Sequence, residues 1–201
     1  MAVAAAVALF AAACGSSGGT GSGGGSSASG RGSTTTTDGA PGTLDSATVL
    51  DAGTGSALKV YVAGLGPVWR QVRLANRAAA DEARIASSGD FPALAADSRT
   101  VALHLGRAVA AARNMHVAPG LARPHADLVR ALAVGRRMAG RLATLYDHIG
   151  PDARRDYRRN VLPLEKRSLR LANRWYGFMQ GAMLAEHVRE PRFIGHLFDW
   201  T

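Results

Sequence analysis

The stretch PHADLVRALAVGRRMAGRLATLYDHI, residues 124–149, decides the fold. Leu128, Gly135, Leu142 and Ile149 recur at intervals of seven, with Ala131, Met138 and Leu145 between them. Alternating steps of three and four put both series on one helix face. Their mean period of 3.5 belongs to helices that pack side by side at a shallow, left-handed angle. A strand would need a period of two. Pro124 suits a first helical turn, where its missing N–H is no loss. Gly150 followed by Pro151-Asp152 reads as a helix stop and a fresh start.

The same period extends outward in both directions. Between Pro92 and Met115, Leu94, Val101, Ala108 and Met115 form one series and Ser98, Leu105 and Ala112 the other, with Asp90 placed to cap the helix start. Upstream, Leu58, Leu65, Val72 and Ala79 keep the heptad through the interruption of Gly64, Gly66 and Pro67. Pro67 either kinks one long helix or starts a shorter one. Downstream, Tyr157, Val161, Leu164, Leu171, Trp175, Phe178 and Met179 carry a fourth segment to about His187, with a kink expected at Pro163. Short connections make consecutive helices antiparallel neighbours, so residues 44–201 are expected to form an all-α, up-down-up-down four-helix bundle. At roughly 155 residues, such a domain buries about 70 % of its extended surface and needs neither metal nor disulfide. The apolar end from Pro191 to Thr201, with Phe193, Ile194, Leu197, Phe198 and Trp200, is expected to fold back over one end of it.

The first 43 residues are built differently. Met1 to Ala13 contain no charged side chain, a run too short to span a bilayer but of the length of a secretory apolar region. Cys14, the one cysteine of the chain, follows Ala11-Ala12-Ala13, and a lone cysteine cannot pair within the chain. This run resembles a bacterial lipobox, with Ala11 standing where leucine is usual. The resemblance implies cleavage before Cys14 and acylation of its thiol. Residues 15–42 are almost wholly Gly, Ser and Thr. Such a composition behaves as a flexible coil, with an r.m.s. span of roughly 30 Å for ~28 residues. The expected organisation is therefore a signal peptide (1–13), a lipidated Cys14 with a linker (14–43) and a helical domain (44–201). It places the protein outside the cytoplasm, held to the outer face of the cell membrane by its lipid. Secretion without a lipid, or a cytoplasmic protein with an apolar N-terminus, are the alternatives.

Charge concentrates in the C-terminal half. Lys+Arg number 24 against 15 Asp+Glu, a net charge of +9, and 22 of the 24 are arginine. Residues 1–100 balance at seven each, whereas residues 101–150 carry seven basic and two acidic and residues 151–201 carry ten and six. On an ideal helix through the fourth segment, Arg155, Arg159, Lys166, Arg170 and Arg174 share one side, opposite Leu164, Leu171, Trp175 and Met179. That side is a candidate site for anionic lipid or a phosphate-bearing cell-wall polymer. Nucleic acid is not the expected partner, because no aromatics interleave with the basic residues and export is expected. A solvated face in an arginine-rich chain is the plain alternative.

Other chemistry finds little support in the residues. Outside the Gly/Ser/Thr tract there is no G-x-S-x-G, and Asp81 and Glu82 are adjacent and so diverge on a helix. No His pair has a recognised metal spacing, and four glutamates without Glu-x-x-His cannot build a di-iron bundle. Met115 and His116 beside His125 are the one candidate soft metal site, of a copper- or zinc-handling kind. No enzymatic activity and no cofactor are expected. The turn Pro119-Gly120-Leu121-Ala122-Arg123-Pro124-His125, running into Leu128 and Leu132, looks like that of small helical-bundle lipoproteins of actinobacteria, which share the lipobox, tether and Ala-rich helices. The resemblance implies envelope location and helical fold, and no mechanism. His125 is placed to hydrogen-bond across that junction.

Overall fold

The structure, a computed structural model, describes residues 54–199. Cys14, the expected leader and linker, residues 44–53 and Trp200-Thr201 lie outside the described residues. Among the described residues every regular element is helical: α1 (Thr54–Gly64), α2 (Gly66–Ile85), α3 (Phe91–Arg113), α4 (Ala122–Asp147), α5 (Ala153–Asp156) and α6 (Leu162–Ala185). Pro67 opens α2 instead of kinking a longer helix, since Leu65 separates α1 from α2 and the proline falls in the first turn of α2.

Cross-helix pairs give the directions. Gln71 meets His104 while Glu82 faces Asp97; Arg99 meets Asp147 while the backbone of Gly106 lies against Arg136; Asp127 meets Arg174 while Ala131 meets Ser168. Rising numbers on one helix face falling numbers on the next, so α2, α3, α4 and α6 run antiparallel in sequence. The heptad positions build the core. Leu94, Ser98, Val101, Leu105, Ala108 and Ala112 of α3 are buried, as are Leu128, Ala131, Gly135, Met138, Leu142 and Leu145 of α4. Ile149 departs from its series because α4 ends at Asp147, which leaves it exposed in the connection. No described helix is long and apolar enough to cross a membrane.

α6 packs on α4, and large side chains fill the space between α6 and α2. Trp175 is fully buried and meets Phe198 edge-on at 5.7 Å, and Trp69 stacks on Phe193 at 5.8 Å. Ile194 and Leu197 are buried with them, and Asn76 Nδ2 donates to the His196 carbonyl at 2.9 Å. The C-terminal segment does fold back over the helices, as its apolar composition requires. Phe178, which the helical spacing put in the core, is partly exposed, and Ala182 and Met183 are buried beyond Met179 instead.

The junctions follow local rules. Gly89 adopts φ +70° between α2 and α3, a left-handed turn that suits glycine, and Asp90 Oδ1 then accepts the Ala93 N–H at 3.0 Å as the expected cap. Ahead of α6, Tyr157–Val161 form a π-helical turn in which the Leu162 N–H reaches back to the Tyr157 carbonyl. Pro163 has no N–H to continue an ordinary helix across this point, and the extra residue of the π turn absorbs the break. The kink expected at Pro163 is thus a change of helical pitch just before it. At the far end of α6, Val188 N–H bonds the Met183 carbonyl at 2.8 Å and His187 N–H the Leu184 carbonyl at 3.3 Å. That is a Schellman ending with His187 at φ +51° where glycine is usual. Replacing His187 with glycine relieves a left-handed side-chain penalty, so His187→Gly should raise stability by about 1 kcal/mol. Urea unfolding measures it; a loss of stability would show that the imidazole holds the turn by contacts of its own.

Candidate functional site

The short connection between α4 and α5 brings two arginine-rich stretches together. Arg137 and Arg141 lie one turn apart on α4, on the side away from its buried series. Arg154, Arg155, Arg158 and Arg159 lie on α5 and the π-helical turn, all exposed. One open depression of ≈ 510 Å³ is lined by Pro151, Asp152, Arg154, Arg155, Arg158 and Arg159. A second, of ≈ 490 Å³, is lined by Arg137, Gly140, Arg141 and Thr144 of α4 and by Arg159, Asn160, Pro163 and Leu164. Arg159 belongs to both. Arg137, Arg141, Arg154, Arg158 and Arg159 have no ion-pair partner among the described residues, while Arg155 pairs with Asp152 at 2.9 Å. Unpaired guanidinium groups gathered on a concave surface are suited to bidentate phosphate contacts.

The expected arginine face is therefore distributed differently from an ideal helix. Arg155 and Arg159 sit at the depressions, whereas Lys166 and Arg170 stand exposed further along α6 and line neither. Arg174 grips Asp127 across to α4, with Nε 3.0 Å from Oδ2 and Nη2 2.5 Å from Oδ1. Asp127 is 5 % exposed, so this pair is a tie between helices and not an open cation. Arg137, Arg141, Arg154 and Arg158 were not part of the expected face. Their signal is the i, i+4 spacing of Arg137 and Arg141 on the outer side of α4, which matters only once α4 and α5 are known to adjoin.

The candidate metal residues have other duties. His125 Nδ1 lies 3.3 Å from the Tyr61 hydroxyl, and Trp175 Nε1 donates to that hydroxyl at 3.2 Å. The Ala112 backbone lies near the ring and partly offsets the effect of burial on it. The consistent assignment runs from the Trp175 N–H to the Tyr61 oxygen and from the Tyr61 O–H to His125 Nδ1. His125 is thus bonded to α1, and that bond occupies its Nδ1 lone pair. Met115 is half-buried with its Cε against Gly64, and His116 is exposed. The structure does not converge the three on one point, and no three His, Cys, Asp or Glu groups among the described residues are placed to hold a metal.

Burial sets the ionisation of this polar run and of a second one. It pushes the Tyr61 phenol up to about 12, and it lowers His125, disfavouring the charged imidazolium. Elsewhere, Glu82 of α2 sits beside the Ser98 and Tyr146 hydroxyls, and burial raises its carboxyl, with Asp97 adding to the effect. Tyr146 is raised by burial and by Glu82. Tyr157 is raised by burial and donates to Glu165 Oε2 at 2.8 Å. None of these groups lines either arginine depression.

Two measurements follow from these pairings. His125 and His104 are both lowered, chiefly by burial, so the unfolded chain binds more protons than the folded one as pH falls below 6.5. Stability should therefore decline between pH 7 and pH 5, and a His104→Gln, His125→Gln double variant should show a flatter decline in urea titrations; an unchanged slope would assign it to other groups. Arg174→Ala leaves Asp127 buried with only the more distant Arg130, at 3.9 Å. It should lower the unfolding midpoint while leaving anion binding at the wild-type level. Comparison of the chain with protein-family models, with curated proteins and with solved structures finds no match.

Proposed function

We propose that this chain is a membrane-tethered, extracytoplasmic lipoprotein whose helical domain is a non-catalytic binding module for anionic envelope components. The anchor in this reading is Cys14, following an apolar run and preceding a Gly/Ser/Thr tether. The antiparallel sequence of α2, α3, α4 and α6 favours the up-down-up-down bundle as the description of that domain. The observation that carries the binding role is the gathering of five unpaired arginines, from α4 and from the α5–π-turn segment, around two adjoining depressions. Metal handling through Met115, His116 and His125 draws less support, because the three do not converge on one point and a cation at Nδ1 would have to displace the hydrogen bond between His125 and Tyr61.

Two experiments test the two halves of the reading. Protein extracted from membranes of its native host should start at Cys14 and carry acyl mass, which a Cys14→Ser variant lacks; an unmodified chain starting at Met1 removes the anchor. Binding of the full chain to phosphate-bearing envelope extracts should weaken about tenfold or more in Arg141→Glu, Arg159→Glu. An Arg73→Glu, Arg77→Glu variant changes net charge equally at exposed positions of α2 and should bind as wild type. Equal losses in the two variants would reduce the binding to net charge alone.

A further inference from the structure

We propose that the two depressions act as one track for a linear phosphodiester polymer whose repeats carry hydroxyl groups, with Arg159 bridging successive phosphates. This rests on the anion-binding reading above and names its ligand class. The track has two halves with unequal electrostatics. The half on α4 presents Arg137, Arg141 and Arg159 with no carboxylate in its lining. The other presents Arg154, Arg158 and Arg159 as unpaired cations, but Asp152 also lines it and neutralises Arg155. Asp156 is exposed on the same turn. The α4 half is therefore the stronger, and the α5 half gains an occupant chiefly when the first phosphate is already held.

Three features favour a polymer over a bilayer surface. The cations line two shallow, open depressions that span two elements, whereas a bilayer presents a plane. Among the described residues, one exposed large apolar side chain, Ile149, lies in the α4–α5 connection next to these arginines, while Val60, Leu103, Leu169, Phe178 and Leu184 lie on α1, α3 and α6; interfacial anchors pair basic residues with several inserted apolar ones. Between the cations lie neutral polar groups. Asn160 is exposed with both amide functions open, and Thr144 donates its proton to the Gly140 carbonyl, which leaves its oxygen to accept. Hydroxyl groups between phosphates match that order of cation, acceptor and amide.

The test titrates the full chain with inorganic phosphate, with glycerol-phosphate oligomers of one, two, four and eight repeats, and with phosphatidylglycerol vesicles, at low salt. Affinity should step up about tenfold or more between the single unit and the short oligomers and then level off, as expected once both halves are filled. Arg141→Glu should abolish the step and weaken the single unit. Arg154→Glu should abolish the step and weaken the single unit less than Arg141→Glu does. The positions are exposed, and a far-ultraviolet spectrum and melting curve identical to wild type confirm that each variant is folded. Affinity that does not depend on length overturns the track while leaving anion binding in place. Vesicles that bind more tightly than oligomers and are not displaced by them also overturn it, in favour of a membrane. No binding to any of the three removes the anion-binding reading with it.

Discussion

The hydrogen-bonded run from Trp175 through Tyr61 to His125 joins α6, α1 and α4, and the rest of the helical domain is fixed relative to it. Alanine and leucine at heptad positions attract without much direction: many rotations and slips of one helix on another bury similar area. A buried N–H, hydroxyl and imidazole that must all find partners permit far fewer arrangements. α1 has 11 residues, a length at which an isolated helix is marginal. Tyr61, 2 % exposed, gives it a fixed place between α4 and α6, and Leu58 and Leu65 then bury beside it.

The same distinction between committed and uncommitted groups organises the surface. Arg174, though a member of the expected basic face, serves Asp127. Arg99 and Arg84 are likewise held by acidic partners, across helices or along one. The arginines around Arg159 differ in being gathered at two adjoining depressions. Holding cations near one another costs repulsion. A carboxylate or phosphate from outside the domain is what would offset it.

Most of the helical architecture was legible in the residues, because a period of 3.5 over three or more heptads has few other readings. α3 and α4 bury every heptad position that lies inside their helical spans; Met115, half-buried, falls just beyond the end of α3. Asp90, Gly150 and the apolar C-terminal segment were legible through local chemistry. α6 was read less well. Its period was projected as one helix from Arg154, but the π-helical turn adds a residue to one turn, so Ala153, Tyr157 and Val161 are buried at intervals of four and the later register is displaced. Phe178 and the proposed continuity of Arg155 with Arg170 and Arg174 both fall on the wrong side of that displacement. The metal-like grouping of Met115, His116 and His125 was legible as a junction but not as chemistry. The partner that occupies His125, Tyr61, is 64 residues away and unconnected to it by any periodicity. The depressions were half legible: Arg155 and Arg159 could be picked from one helix, whereas Arg137 and Arg141 required knowing which helix lies next to it.

The π-helical turn also bears on how such a surface changes over generations. A helix that holds its rotation by a single extra residue carries a phase setting as well as a length. Deletion of one codon between Tyr157 and Val161 would leave composition, charge and helix content nearly untouched, yet would turn the segment ahead of it by roughly 100° relative to α6. Arg154, Arg158 and Arg159 would then face a different quarter of the molecule. Insertions and deletions here are therefore a faster route to a new surface pattern than substitution of the arginines themselves, and Pro163 marks the place where the chain tolerates them.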